Sequence, residues 1–297
     1  MYHQPALLQE CIEGLSINPS GIYADLTFGG GGHSRAIIEK LDATGRLIAF
    51  DQDEDALSNT IDDERFTLAN ENFRYLKNFL RLYKAFPIDG ILADLGISSH
   101  QIDTPQRGFA TRFEGPLDMR MGRKQGATAE HMINSYTEEK LYSVFKMYGE
   151  ISNARLLAAK IAEARSNPIT TTNELKEAIK SCTPLNYESK YLAQVFQAIR
   201  IEINDEMGAL QAMLKQCADV LKPGGRLVII SYHSLEDRLV KNYIKTGNFE
   251  GVVEKDFFGN KLTPLTSITR KPITPSESEL KSNPRARSAK LRIAQKN

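Results

Sequence analysis

The sequence predicts an α/β fold, a parallel doubly wound sheet into which a helical segment is inserted. Four short apolar runs alternate with helical segments over the first hundred residues, a rhythm typical of parallel sheets. Three of those runs end at an aspartate, namely Asp25, Asp51 and Asp94. Because ligands of such sheets bind at the carboxyl ends of the strands, these acids indicate a binding site.

The first strand leads into a glycine-rich turn. Residues 23–25 are followed by four consecutive glycines at 29–32 and then by an amphipathic segment through Leu41, which indicates a strand, a tight turn and a helix. Glycine permits positive φ and lets a ligand approach the main chain, while the helix start presents free N–H groups. We therefore expect this turn to bind a ligand.

The spacing of the glycines bears on which nucleotide cofactor the turn accepts. A dinucleotide fingerprint places a third glycine where this chain has Ser34, and a pyrophosphate would leave Asp25 unexplained. An acid before the glycines better suits a neutral or cationic ligand, and S-adenosylmethionine, with its sulfonium and amino groups, is one. A nicotinamide oxidoreductase is the alternative, although no residue for hydride chemistry is evident.

The next elements continue the pattern. An amphipathic helix over 5–15 precedes the first strand, and a second strand, 45–51, ends at Asp51, 20 residues beyond Gly31. An acid there can accept both ribose hydroxyls of an adenosine, whereas Asp53 is a candidate helix N-cap. A third strand covers 66–69 and precedes Phe73, which is a candidate to stack beside an adenine. A fourth strand covers 88–95.

The alternation then stops and returns later in the chain. Residues 105–190 form the predicted helical insertion, so the sheet domain combines 1–104 with 191–297. A single amphipathic helix over 192–221 and a turn at 222–225 lead to a fifth strand, 226–232. Strands at 267–271 and 288–294 would complete the sheet as a hairpin, with Lys290 and Arg292 pointing outward from an edge strand.

Composition narrows the class of protein. The 297 residues are 41% hydrophobic and 25% charged with a net charge of +1, ordinary values for a cytosolic globular protein. Three separated cysteines support neither a disulfide framework nor a zinc site, and we predict no metal. No signal peptide is evident, and no apolar run approaches the ~20 residues of a membrane span. From Lys261 onward, nine basic residues oppose two acidic ones, so this segment is a candidate polyanion contact.

Seven blocks of the sequence together resemble a known family. They are 25–34 (DLTFGGGGHS), 94–99 (DLGISS), 115–121 (GPLDMRM), 196–202 (FQAIRIE), 223–227 (PGGRL), 233–238 (HSLEDR) and 283–292 (NPRARSAKLR). They are similar to the bacterial 16S rRNA cytosine-N4 methyltransferases, the RsmH or MraW family, nearly from end to end. The resemblance implies a class I S-adenosylmethionine-dependent methyltransferase with a Rossmann-like sheet, an antiparallel last strand and an inserted helical domain for substrate recognition.

The resemblance also implies an activity and its site. It implies N4-methylation of a specific cytidine in the decoding region of 16S rRNA, within the small ribosomal subunit. The implied cofactor residues are Gly31, Gly32, His33, Asp51, Phe73, Asp94 and Gln101. Around the nucleotide we expect Arg107, Phe109, Asp118 and Arg120, and at phosphates Arg285 and Arg287. The chain departs from the family pattern at His100, Ala110 and Glu114, all on the substrate side.

The acceptor of the N4 proton is not evident from the sequence. Where DNA amino-methyltransferases carry an Asn- or Asp-Pro-Pro-aromatic tetrapeptide, this chain has residues 94–97 (DLGI). Asp118 and His233 are candidate catalytic residues, although Asp118 could simply pair with Arg120 or Arg123 and His233 could cap its helix.

Two other functions stay open at this point. One is methylation of an amino group in another RNA or in DNA. The other is RNA binding without catalysis, which explains the basic C-terminal segment but not three acids at strand ends. The sequence leaves the oligomeric state open, and also whether the substrate is free rRNA or the assembled subunit.

Overall fold

A seven-stranded sheet carries the predicted strand-end acids. The computed structural model describes residues 5–124 and 126–297. The strands are β1 (Ile22–Asp25), β2 (Arg46–Phe50), β3 (Phe66–Ala69), β4 (Ile88–Asp94), β5 (Leu221–Ser231), β6 (Leu265–Ser267) and β7 (Lys290–Lys296). Their order across the sheet is β3-β2-β1-β4-β5-β7-β6. The strands β1 to β5 pair in parallel, which confirms the predicted doubly wound α/β sheet.

The last strand lies inside the sheet. β7 is antiparallel to β5 on one side and to β6 on the other, so the predicted antiparallel last strand is confirmed. The prediction that it forms an edge was wrong. Arg292 does not point into solvent either, because it is 9% exposed and donates two hydrogen bonds to Asp237. The predicted strand 267–271 is also shifted, since β6 ends at Ser267.

Alternating side chains of the strands supply two apolar layers. Ala24, Ile48, Ile91 and Leu227 belong to one cluster of buried residues, and their neighbours Tyr23, Leu47, Leu92 and Val228 belong to another. This period of two is what a sheet buried on both faces requires. Because β1 to β5 run parallel, their carboxyl ends lie at one edge of the sheet. Asp25 and Asp94, the last residues of β1 and β4, lie at that edge.

Twelve α-helices accompany the strands in the described residues. They are α1 (Leu8–Leu15), α2 (Gly32–Ile38), α3 (Leu76–Leu82), α4 (Ser99–Asp103), α5 (Ala129–Ser135), α6 (Glu138–Tyr148), α7 (Ala154–Ala164), α8 (Thr172–Ile179), α9 (Glu188–Asn204), α10 (Glu206–Val220), α11 (Ser234–Thr246) and α12 (Glu277–Ser282). The prediction of one long helix over 192–221 was wrong. Asp205 adopts φ 46°, and this left-handed residue ends α9 before α10 begins.

The chain divides into two compact units. The first combines residues up to Gly96 with Met207–Asn297 and contains the sheet, whereas the second covers Ile97–Glu206. The second unit is helical and has a core of its own, to which α5, α6, α7, α8 and α9 contribute buried side chains. Within the described ranges, no helix combines the length and the apolar character needed to cross a membrane.

Candidate cofactor site

Asp25 is hydrogen-bonded to residues on both sides of the glycine turn. Its carboxylate accepts a 2.6 Å hydrogen bond from Oγ of Ser34 and a 3.1 Å bond from the backbone N–H of Thr27. Burial raises its pKa, and the residue is 1% exposed. The acid that the sequence places before the glycines therefore faces the protein interior and fixes both ends of the turn.

The glycines differ in what surrounds them. Gly29 and Gly31 have φ of +51° and +76°, and a Cβ built on Gly31 would lie 2.6 Å from Nη1 of Arg35. A Cβ built on Gly29 would meet no atom of the described residues within 4 Å. Gly31 is thus required by the protein's own packing, whereas the space over Gly29 is open to a ligand.

Asp51 joins the end of β2 to this turn. Its Oδ2 accepts a hydrogen bond from the N–H of Gly29 at 2.8 Å, and its Oδ1 accepts one from the N–H of Asp53 at 2.8 Å. Burial raises the pKa of Asp51 to about 6, although these two bonds lower it. A carboxylate has about four acceptor positions, so Asp51 retains the capacity to accept ligand hydroxyls beside the turn.

Asp94, at the end of β4, is hydrogen-bonded to the segment that leads into the glycine turn. Its backbone N–H donates to Oγ1 of Thr27 at 2.7 Å, and its Oδ1 accepts a 2.8 Å bond from the hydroxyl of Tyr232. Burial raises the pKa of Asp94 to about 6, while nearby His33 and the Tyr232 bond lower it. The three strand ends are therefore joined by hydrogen bonds within the first unit, with Thr27 between β1 and β4.

The remaining predicted cofactor residues have structural partners. Gly32 starts α2, and a Cβ on it would collide with the ring of Pro5. His33 is buried, with Nε2 3.1 Å from the carbonyl oxygen of Ala6, and burial lowers its pKa. Phe73 begins a short 3₁₀ helix and packs, partly buried, against the core. Gln101 belongs to the second unit, where it forms a capping box with Ser98.

The residues predicted to contact substrate form a network inside the second unit. Arg120 binds both carboxylate oxygens of Asp118, at 2.9 Å each. Burial tends to raise the pKa of Asp118, but the bonds from Arg120 outweigh it and the pKa is lowered. Arg107 is 2% exposed and donates from Nη2 to the carbonyl oxygens of Arg120 and Met121. Phe109 is 7% exposed, in the helical core.

His233 caps the helix α11. Its Nδ1 accepts from the N–H of Glu236, and the Glu236 carboxylate accepts in return from the N–H of His233. Its Nε2 lies 3.1 Å from Oε1 of Glu236, although without the angle of a hydrogen bond. The capping role that the sequence allowed for His233 is therefore present in the first unit.

The two arginines predicted to bind phosphate precede β7. Both lie in the 3₁₀ helix Pro284–Ser288, where Arg285 is partly buried and Arg287 is exposed. Further along, Arg292 pairs with Asp237, and Nζ of Lys290 lies 3.8 Å from the same carboxylate. Part of the positive charge of the C-terminal segment is thus neutralised by the protein itself.

Sequence reasoning missed Tyr232, Thr27 and Ser34. Tyr232 directly follows β5 and bonds to Asp94, so it holds the same strand-end position as the three acids. Its placement after an apolar run was the available signal. Thr27 and Ser34 flank the glycines, and their roles depend on the pairing of β1 with β4, which has no local signature.

Comparisons with known proteins identify the family of this chain. A family model described as the MraW methylase family matches residues 1–297. A relative from Flavobacterium johnsoniae named "Ribosomal RNA small subunit methyltransferase H" is 56% identical over 296 residues, covering 99% of this chain and 98% of its own. A relative from Cytophaga hutchinsonii with the same name is 55% identical, with 100% of both chains covered.

A solved structure offers only a distant likeness. A chain from Clostridium thermocellum described as a putative rRNA-methylase is 12% identical and aligns with a TM-score of 0.46 over 100% of both chains. The assignment therefore depends on the family model and on the sequence relatives. Both cover nearly the whole chain, and they lead to one conclusion. The protein belongs to the MraW methylase family.

Proposed function

We propose that this chain methylates the exocyclic N4 amine of a specific cytidine in the decoding region of 16S rRNA, within the small ribosomal subunit, in the cytoplasm. Relatives that are more than half identical carry the name of a small-subunit ribosomal RNA methyltransferase. The observation that carries the proposal is the set of hydrogen bonds joining Asp51 and Asp94 to the glycine turn.

The donor set fits S-adenosylmethionine. The open face of Gly29 leaves room for the cofactor against the main chain, beside the Asp51 carboxylate. Asp51 accepts bonds from the ribose hydroxyls, and Asp94 offers negative charge to the cationic part of the cofactor. Gly31, Gly32 and His33 shape the turn, Phe73 is the proposed stacking partner of the adenine, and Gln101 is a further proposed cofactor contact. The bound cofactor supplies an activated methyl group on sulfur.

The protein's part in the reaction is mainly alignment. The N4 lone pair of cytosine is delocalised into the ring, so the nitrogen must be held in line with the methyl carbon and must lose a proton as the new bond forms. Neither candidate acceptor is free of protein contacts. Asp118 is engaged by Arg120 through both oxygens, and His233 is a helix cap.

Selection of the RNA belongs, in this proposal, to the helical insertion at 105–190. Arg120 and Asp118 are each 21% exposed through their side chains, so they retain surface for a nucleotide. Arg107 and Phe109 are both buried. In this proposal they act through packing and hydrogen bonds within the second unit rather than by direct contact with the nucleotide. Arg285 and Arg287 are the proposed phosphate contacts of the sheet domain.

The test is methyl incorporation from labelled S-adenosylmethionine into purified small subunits, compared with free 16S RNA and with DNA. Digestion to nucleosides and mass spectrometry then identify the modified atom. The proposal requires N4-methylcytidine at one position of the rRNA. A methyl group on another amino group, or on DNA alone, would establish the alternative specificity instead.

A further inference from the structure

Residues 254–262 form a short hairpin whose tip carries two fully accessible aromatic rings. The hairpin follows α11, and its two sides join through an antiparallel bridge between Lys255 and Lys261. Phe257 and Phe258 are 98% and 85% exposed. Buried aromatic side chains contribute strongly to stability, so two adjacent phenylalanines at a tip contribute almost nothing to this fold.

The tip is held in one conformation by Asp256. Its Oδ1 accepts from the N–H groups of Phe258 and Asn260 at 2.9 and 2.8 Å, and its Oδ2 accepts from Nδ2 of Asn260 at 3.0 Å. The main chain closes with a 2.9 Å bond from the N–H of Asp256 to the carbonyl of Asn260. The rings are therefore presented by an ordered turn, which lowers the entropy lost when they bind.

The two rings are placed to offer separate faces. Their centroids are 5.7 Å apart and their planes meet at 87°, so one ring does not cover the face of the other. Two such rings expose roughly 300–500 Å², well below the about 800 Å² per partner of a standard protein interface. Faces of this size match single unstacked bases, which proteins commonly bind on aromatic side chains.

The charge of the hairpin also bears on the partner. Residues 254–262 carry two acids and two lysines, so the hairpin has no net charge and attraction to phosphate cannot by itself bring RNA to this tip. A contact made here must come from the rings, and its strength should respond little to salt.

We propose that Phe257 and Phe258 form a base-stacking contact for unpaired nucleotides of the ribosomal RNA, outside the methylation site. The inference rests on the proposed RNA substrate, because it names a second contact with the same molecule. In this proposal the hairpin helps to hold the RNA substrate, and it takes no part in binding the cofactor.

Tryptophan fluorescence tests the contact directly, because the chain contains no tryptophan. Phe257→Trp and Phe258→Trp each introduce a single reporter at the tip, and stacking on a base quenches it. Leu82→Trp is the matched control, since Leu82 is 68% exposed at the end of α3. We expect protein-free 16S RNA to quench the two tip reporters and to leave the control unchanged.

Affinity measurements give the second arm. Phe257→Ala and Phe258→Ala should each weaken RNA binding about 5- to 100-fold with an unchanged salt slope and unchanged cofactor affinity. Tyrosine at either position should retain most of the affinity, whereas leucine, which is apolar but cannot stack, should not.

Several results would overturn the inference. Quenching by complete subunits but not by protein-free RNA would identify a ribosomal protein as the partner, and a signal that changes with the chain's own concentration would identify a second copy. If neither protein-free RNA nor complete subunits change the fluorescence of the tip reporters, a contact at the tip is excluded. The fluorescence signal does not depend on methyl transfer, so the two proposals fail separately. If a tryptophan variant methylates the subunit but RNA does not quench its fluorescence, only the stacking contact is refuted. If RNA quenches the fluorescence but the protein transfers no methyl group, only the proposed reaction is refuted.

Discussion

The hydroxyl of Tyr232 donates a 2.8 Å hydrogen bond to Oδ1 of Asp94. The two residues stand at the ends of the paired strands β5 and β4, so the sheet itself holds the phenol against the carboxylate. Burial raises the pKa of Asp94 to about 6, and the bond from Tyr232 opposes that rise. Tyr232 is therefore a positioning residue that favours the charged form of Asp94.

Tyr232→Phe should make cofactor binding more sensitive to acid. Loss of the bond raises the pKa of Asp94 further, so the carboxylate takes up its proton at a higher pH. We expect the pH midpoint of S-adenosylmethionine affinity to move upward by roughly one unit. Titration calorimetry from about pH 5 to about pH 8 measures it. Tyr243→Phe, a change at another buried tyrosine, is the control, and an equal midpoint in both variants would refute the role of Tyr232.

Asp94→Asn should stabilise the cofactor-free protein at neutral pH. The pKa of Asp94 rises from 3.8 to about 6 on folding, so between these two pH values the folded chain holds a proton that the unfolded chain has released. Its contribution to the free energy of unfolding is therefore fully present below about pH 4 and is lost as the pH rises through about 6. An uncharged side chain avoids this loss.

We expect the melting temperature of Asp94→Asn to exceed that of the wild type by a few degrees at neutral pH. The difference should vanish near pH 4, and cofactor affinity should fall. Calorimetric melts at both pH values test this. An equal advantage at both would mean that the charge is not its source.

Asp51→Ala should weaken cofactor binding about 10- to 100-fold, because hydrogen bonds to a charged group contribute about 1.5–3 kcal/mol. Calorimetry on the folded variant measures it. Asp53→Ala is the control, since it removes the N-cap of the 3₁₀ helix Glu54–Asn59 and leaves the Asp51 carboxylate in place. Unchanged affinity in Asp51→Ala would remove this residue from the cofactor site.

The sequence was sufficient for the parallel strands and for the glycine turn because their signals are local. An apolar run of four to seven residues, a change of period and four glycines lie within a short stretch of chain. β3 was predicted at 66–69 and is observed as Phe66–Ala69. The strand-end position of Asp25, Asp51 and Asp94 followed directly from those boundaries.

The failures involve partners distant in sequence. The interior position of β7 depends on pairing with β5 and β6, and the burial of Arg292 depends on Asp237. Arginine is rarely buried unless paired, so a sequence pattern that places it outside is a reasonable error. At Asp205 the helical period continues on both sides, and only the adjacent Asn204 indicated a stop.

Arg120→Ala should spare cofactor affinity and reduce methylation of the small subunit. The substitution frees the Asp118 carboxylate and removes a positive charge from the second unit. Rates of methyl incorporation, together with calorimetric cofactor affinity, separate the two effects. Arg112→Ala, which breaks the exposed pair with Asp103, is the control. If cofactor affinity collapses in Arg120→Ala, the residue acts on the cofactor rather than on the RNA.

Arg287→Gln should flatten the salt dependence of RNA binding. Each phosphate neutralised on a single strand contributes about 0.7 to the slope of log affinity against log salt, and a further Arg285→Gln should bring the loss to about one unit or slightly more. Filter binding across a salt series measures it. Arg292→Gln is the contrasting variant: because Arg292 pairs with Asp237, it should lower stability and keep the slope. A wild-type slope in the double variant would place the phosphate contacts elsewhere.

The order of strands in the sheet differs from the order in which a ribosome makes them. Within the part of the chain that the structure describes, β7 is the only strand that pairs with β6, and β7 is translated after both of its neighbours. Domains fold as they are synthesised, beginning with the N-terminal part, so β1 to β5 can assemble while β6 waits and the outer edge of β5 stays open. Closure of this sheet is therefore a late event of biosynthesis, and chains interrupted before residue 290 would expose β5 as a strand edge prone to aggregation.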